Sequence, residues 1–209
     1  MSTRRLFFAL WPDQTMREAL FAAIDGAAVG AVREGRPVPL ANLHVTLAFL
    51  GSVPEAALAS LIELAREVAV ARSGEGRGVG AATRVSERSS AAIAMRLDRI
   101  EHWRRAEILC AAASRMPAGA EELSDALKST LVAAGFRPDL KPFRAHVTLA
   151  RQVRRAPANP GMQAVTWSFG EFALIESRTL PEGSSYSTVA SWALCEEAPQ
   201  QSRGTSDRA

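Results

Sequence analysis

With 209 residues, 47% of them apolar and 22% charged, the chain can bury a real core and is too balanced for a disordered or fibrous protein. No window approaches the roughly 18 uninterrupted apolar residues of a membrane helix. The net charge is only +3, yet Lys128 and Lys141 are the only lysines among 25 basic residues, so arginine carries the positive charge. Its planar fork fits phosphate. An Ala/Arg-rich chain with arginines on solvated faces has the same composition, so charge permits an anionic partner without requiring one.

The opening "MSTRRLFFALWPDQ" resembles the start of a signal peptide, but its apolar run breaks at Pro12-Asp13. Residues 5–10 read instead as a first strand. "PDQTMREALFAAIDGAA" follows as a helix, with Pro12-Asp13 as its start signal. "GRPVPLANL" has no helical period and reads as an extended arm into a strand over 44–50, which Gly51 and Pro54 end. A second helix opens at Pro54. The Gly/Ser/Arg-rich stretch 73–90 has no clear pattern. Strands at about 91–97 and 106–112 flank a loop, "DRIEHWRR". A third helix over 118–136 ends at Gly135. A strand over 145–152 follows, and two last strands fit "AVTWSFGEFALIESR" and "YSTVASWALCE". Residues 198–209 are polar and expected to form a frayed tail, leaving 1–197 as a single domain. Cys110 and Cys195 sit in apolar stretches, make no disulfide framework and point to a reducing cytoplasm.

One pentapeptide occurs twice. "HVTLA" spans 44–48 and again 146–150, and its histidines are two of only three in the chain. Each half also holds a helix near its copy, which suggests an internal duplication. The expected fold is α+β and bilobal: two pseudo-twofold antiparallel sheets, helices on the outer faces and a central cleft. In a strand, residues i and i+2 share a face. His44 and Thr46 therefore point one way while Val45 and Leu47 point into a core. His146 and Thr148 repeat this, backed by Val147 and Leu149. Across a twofold cleft the outward faces meet, bringing two imidazoles and two hydroxyls to one small volume.

Displacement at a phosphodiester needs a base on one side of phosphorus and an acid on the other. Imidazole, with an ordinary pKa near 6.5, serves as either at neutral pH. Threonine hydroxyls are short, stiff donors for the non-bridging oxygens. A strained cyclic phosphate, such as the 2′,3′-cyclic end of an RNA, suits this set and needs no metal. Sequence physics does not say which histidine takes which role.

The two motifs and their flanks, "RLFFAL", "LANLHVTLAFLG", "LKPFRAHVTLAR" and "FALIESRTLPEGSSYSTVASWAL", resemble the two-histidine (2H) phosphoesterase superfamily. They look most like its bacterial and archaeal RNA 2′,3′-cyclic phosphodiesterases, historically called 2′-5′ RNA ligases. The resemblance covers about residues 4–195 and departs mainly in 73–92. It implies hydrolysis to a 2′-phosphate, with His44 as proton donor to the leaving 3′ oxygen and His146 as acceptor activating water. Thr46 and Thr148 would hold the phosphate. The reverse reaction would be an ATP-independent 2′-5′ ligation, and the chain has no Walker-type loop. No cofactor or metal is implied: HExxH, CxxC and G-x-S-x-G patterns are all missing from the sequence. The expected partner is RNA or a nucleotide with a 2′,3′-cyclic phosphate, met by a monomer with no membrane attachment. The alternatives are a small cyclic nucleotide, such as an ADP-ribose cyclic phosphate, or a non-catalytic nucleotide- or RNA-binding module.

Around the motifs, Arg144 shares the parity of His146 and is a candidate phosphate ligand. Arg151 is another, although a regular strand turns it to the opposite face. Phe49 falls on the core side by the same rule. Trp11 and Phe143 read as packing before base stacking. Tyr186, the only tyrosine, also reads as packing. His102 has Arg104 rather than Thr at i+2 and reads as structural.

Overall fold

A computed structural model describes residues 2–73, 92–180 and 183–194. The Gly/Ser/Arg-rich stretch, Cys195 and the tail lie outside the described residues. In chain order the elements are β1 (Thr3–Leu10), α1 (Gln14–Ala23), α2 (Gly26–Glu34), β2 (Arg36–Pro37), β3 (Val45–Pro54), α3 (Leu58–Ser73), β4 (Ile93–Leu97), β5 (Arg99–Trp103), β6 (Ile108–Ala112), α4 (Ala118–Ala133), β7 (His146–Arg151), β8 (Val165–Phe169), β9 (Glu171–Leu180) and β10 (Gly183–Ala193). Antiparallel pairing gives two four-stranded sheets, ordered β10-β9-β1-β3 and β2-β7-β6-β5, and the small pair β4-β8. The fold is α+β, as expected.

The two sheets do not correspond to halves of the sequence. The first draws β1 and β3 from the start of the chain and β9 and β10 from its end. The helices are exchanged as well. α4, which connects β6 to β7, packs on β3, whereas α2, which lies between β1 and β3, packs on β7. Each motif strand is thus backed by the helix that precedes the other one.

Several boundaries differ from the sequence reading for local reasons. The first helix is two helices. Asp25 interrupts it, because its carboxylate caps α2 by accepting from the Ala28 N–H at 2.9 Å and also accepts from the Gly161 N–H at 2.6 Å. The supposed loop "DRIEHWRR" contains β5, an edge strand pairing residue for residue with β6. Its polar composition hid it, since one of its faces lines the cleft. The last segments hold three strands rather than two, because Gly170 separates β8 from β9. Strand β3 runs through Gly51 to Pro54, with Gly51 at φ 69° beside an irregularity in the pairing. The third helix does stop at Gly135: it takes φ 86°, and its N–H and that of Phe136 return to the carbonyls of Val132 and Leu131.

The apolar members of both motifs serve as anchors. Val45, Leu47, Val147 and Leu149 are each at most 2% exposed within one continuous core. Full burial of such a side chain is worth roughly 1.5–3 kcal/mol. Cys110 is buried too, and its thiol is pushed up to about 12, first by burial and then by the Glu101 carboxylate, which leaves it inert.

Candidate active site

Both motif strands carry the same defect at the same place. Along β3, Thr46 faces Ala9 and Ala48 faces Phe8, so Leu47 is an extra residue. Along β7, Thr148 faces Cys110 and Ala150 faces Leu109, so Leu149 is the extra one. These are β-bulges, which leave one residue unpaired and re-aim those that follow. The carbonyls of the two bulge residues accept from groups outside the β1–β3 and β6–β7 pairings. That of Leu47 accepts from the buried Ser124 hydroxyl at 2.7 Å, and that of Leu149 from the Val38 N–H at 2.9 Å.

The bulge corrects two parity readings. Cross-strand partners share a face, and Phe49 pairs with Phe7 just as Thr46 pairs with Ala9. Phe49 is therefore half-buried on the cleft side, not in the main core. Arg151, five residues after His146 as Phe49 is after His44, is turned toward the cleft in the same way. It lines the His44 cavity and bears electrostatically on both imidazoles.

The two histidines are held alike. His44 Nδ1 lies 2.6 Å from the carbonyl of Asn42, and His146 Nδ1 lies 2.7 Å from that of Arg144. A carbonyl only accepts, so Nδ1 carries a proton in both rings and Nε2 is left to exchange one with a substrate. The imidazoles also sense each other, since the charge of His146 helps to depress His44.

Their surroundings differ. His44 stacks on Trp11 at 5.2 Å between centroids, packs against Phe7 at 4.9 Å and meets the edge of Tyr186 at 5.4 Å. Burial in this aromatic cage pushes its pKa down to about 4, and repulsion from His146, Arg151 and Arg17 adds to the shift. His146 has one aromatic neighbour among the described residues, Trp103, at 4.4 Å. Its pKa is lowered too, first by burial, but the Glu101 carboxylate pulls the other way. Glu101 organises this side. It accepts from the Trp103 indole N–H at 2.7 Å and from Arg144 at 2.8 Å, and it pairs with Arg99 at 2.7 Å.

Two cavities meet between the sheets. One, of about 430 Å³, is lined by His44, Thr46, Arg151 and Tyr186, with Arg5, Ser177, Thr179 and Ser184 adding polar groups. The other, of about 910 Å³, is lined by His146, Trp103, Phe143 and Arg144. Thr46 and Phe49 border both, so the cavities adjoin. Thr148 is half-buried and shares the outward parity of His146, but it borders neither cavity. Arg144 faces the cleft as its parity implies. Its guanidinium is engaged by Glu101 and lies 4.5 Å from the centre of the Trp103 ring. Lys128 and Lys141, the only lysines in the chain, both line the larger cavity.

Glu101, Trp103, Arg5 and the β9–β10 hydroxyls escaped the sequence reading. A signal for the first two existed: Glu101 and Trp103 alternate with His102 as strand residues do. His102 points away from the cleft and bonds the Val153 carbonyl at 2.6 Å. Trp11 belongs to the His44 cage rather than to the core. Phe143 is 6% exposed, both core and cavity wall. Among the described residues no helix is long and apolar enough to cross a membrane.

Comparison with known proteins agrees with this geometry. Residues 16–180 match the model of the 2′-5′ RNA ligase superfamily. An RNA 2′,3′-cyclic phosphodiesterase of Thermus thermophilus is 30% identical over 98% of both chains. One of Escherichia coli K12 is 29% identical over 91% of this chain and 97% of its own. The apo crystal structure of E. coli LigT superposes with a TM-score of 0.71 at 27% identity, covering 94% of this chain and all of that one. A matching family model across most of the chain, relatives of full length and the paired His-x-Thr strands lead to one conclusion: this chain belongs to the 2′-5′ RNA ligase superfamily, the 2H phosphoesterases.

Proposed function

We propose that the protein opens the 2′,3′-cyclic phosphate end of an RNA to a 2′-phosphate, with His44 and His146 as its acid and base. One observation carries this reading. Two imidazoles on equivalent bulged strands are both pinned through Nδ1, so both keep Nε2 for substrate, in adjoining cavities bordered by Thr46. The full-length relatives named for this activity support it.

In the reaction, His146 Nε2 takes a proton from water as the water oxygen attacks phosphorus. The bond from phosphorus to the 3′ oxygen breaks, and His44 Nε2 delivers a proton to that oxygen. Thr46 and Thr148 hold non-bridging oxygens where charge builds. His146 then returns its proton to solvent and His44 regains one. Aromatic burial keeps His44 neutral in the free site at pH 7. The negative charge of a bound cyclic phosphate draws the proton onto it, an opposite-charge effect strongest in a desolvated cleft. The same steps with the 5′-hydroxyl of a second strand in the place of water join two ends through a 2′-5′ bond without ATP, and their reversal cleaves that bond to restore the cyclic phosphate.

The deciding experiment is end-group analysis after turnover of a cyclic-phosphate oligonucleotide in EDTA. A 2′-phosphate product supports the roles given to His44 and His146, and a 3′-phosphate exchanges them. Full activity in a His44→Ala, His146→Ala double variant, or its loss in EDTA, refutes the two-histidine mechanism.

A further inference from the structure

Beside the His44 cavity lies a groove of about 390 Å³ that the reaction above does not use. It runs between the arm that holds β2 and the strands β9 and β10. It shares Arg151, Ser184 and Tyr186 with the His44 cavity, so a molecule held at His44 can extend into it. Its wall is tied to the reacting centre by Asn42, which donates to the Ser184 carbonyl at 2.9 Å and whose own carbonyl holds His44.

Two arginines face each other here. Arg36 is the direct ladder partner of Arg151, an arrangement that is unfavourable for like charges without a counter-ion. Among the described residues no carboxylate pairs with either of them. The pair is also held in place. A Cβ on Gly35 would lie 2.7 Å from the Arg151 carbonyl, so the backbone before Arg36 packs directly on β7. A Cβ on Gly183 would lie 3.1 Å from the Arg36 guanidinium, and Gly183 takes φ 147°, so that head group rests against bare backbone of β10.

We propose that Arg36 and Arg151 form a second phosphate subsite. It takes the phosphate on the 5′ side of the terminal nucleoside that bears the cyclic phosphate. This rests on the phosphodiesterase reading and refines its substrate: an oligonucleotide end or a 5′-phosphorylated nucleotide, rather than a bare nucleoside cyclic phosphate. Two opposed guanidiniums supply the charge-assisted donors that an anionic phosphate needs, and the phosphate relieves their repulsion.

The test compares kcat/KM for a nucleoside 2′,3′-cyclic phosphate with that for the same compound carrying a 5′-phosphate. The expected preference for the second is about tenfold, the size of a charge-assisted contact, and it shrinks as salt rises. In Arg36→Glu the ratio falls to one or below, and Arg36→Lys keeps part of it. A wild-type ratio near one, or an unchanged ratio in Arg36→Glu, overturns the subsite and leaves the phosphodiesterase reading standing. If neither compound turns over, that reading falls instead. The subsite is then read from the dissociation constants of the nucleoside 2′-phosphate with and without a 5′-phosphate, where equal affinities overturn it. Arg36→Gln, checked by circular dichroism, gives the same ratio should Arg36→Glu fail to fold.

Discussion

The His44 and His146 half-sites share a backbone and differ in what encloses the ring. Both rest on an His-Val-Thr-Leu-Ala strand with a bulge at Leu, both bulged carbonyls accept from groups outside that pairing, and both rings are fixed through Nδ1. His44, however, sits in a cage of Trp11, Phe7 and Tyr186, and the charged groups that chiefly bear on it are all cationic. His146 lies on a single tryptophan and within reach of Glu101. Duplication supplies matched positions, and the neighbours leave the two rings in unmatched electrostatic surroundings.

The strongest way to break the comparison is to remove each ring. His44→Ala and His146→Ala are each expected to lower kcat by about 10³, within the range for acid–base groups, and the double variant far less than the product of the two. A single variant that keeps wild-type kcat would show that the halves are not partners. Next come the hydroxyls. Thr46→Val and Thr148→Val are each expected to cost about 10² in kcat, as the loss of one donor to developing charge does. Unequal losses in steady-state kinetics would show which threonine holds the phosphate more tightly.

The cage predicts a difference in stability. The His44 pKa is depressed in the folded state, from an ordinary 6.5 to about 4. Its contribution is therefore present above pH 6.5 and is lost as pH falls toward 4. Linkage puts that loss at about 2 kcal/mol between pH 7 and pH 5. Urea denaturation should show the loss in the wild type and a shallower pH dependence in His44→Phe. Equal slopes would mean that the cage does not exclude the charged ring. The smallest effect sharpens the other half. Glu101→Gln removes the carboxylate that raises the His146 pKa. The limb of the pH–kcat profile that reports a deprotonated base should move to lower pH, with less than about a tenfold change at the optimum. Histidine NMR titration should show the His146 resonance shifting and that of His44 nearly still.

Much of this was legible in the order of residues. Strand alternation alone sent Val45, Leu47, Val147 and Leu149 inward and the His and Thr residues outward, because side-chain parity is a local property of extended backbone. The repeat named the pair that the structure places in adjoining cavities, and Gly135 marked the end of its helix. Parity failed at Phe49 and Arg151 for one reason: a bulge adds a residue without leaving a mark in the composition. β5 was missed because it is short and has a single aliphatic residue, Ile100, on its core side, which is too little for an alternation to show.

The residues by themselves determined which groups share the outward face of each motif strand, since imidazole and hydroxyl at i and i+2 follow from covalent structure and a period of two. Tertiary structure decided the rest. It set the interleaving of the two sheets, the exchange of α2 and α4 between motifs, the cage around His44, the carboxylate near His146 and the opposition of Arg36 to Arg151. Each of these joins residues far apart in the chain. Such contacts arise from packing of whole faces, which no local period records.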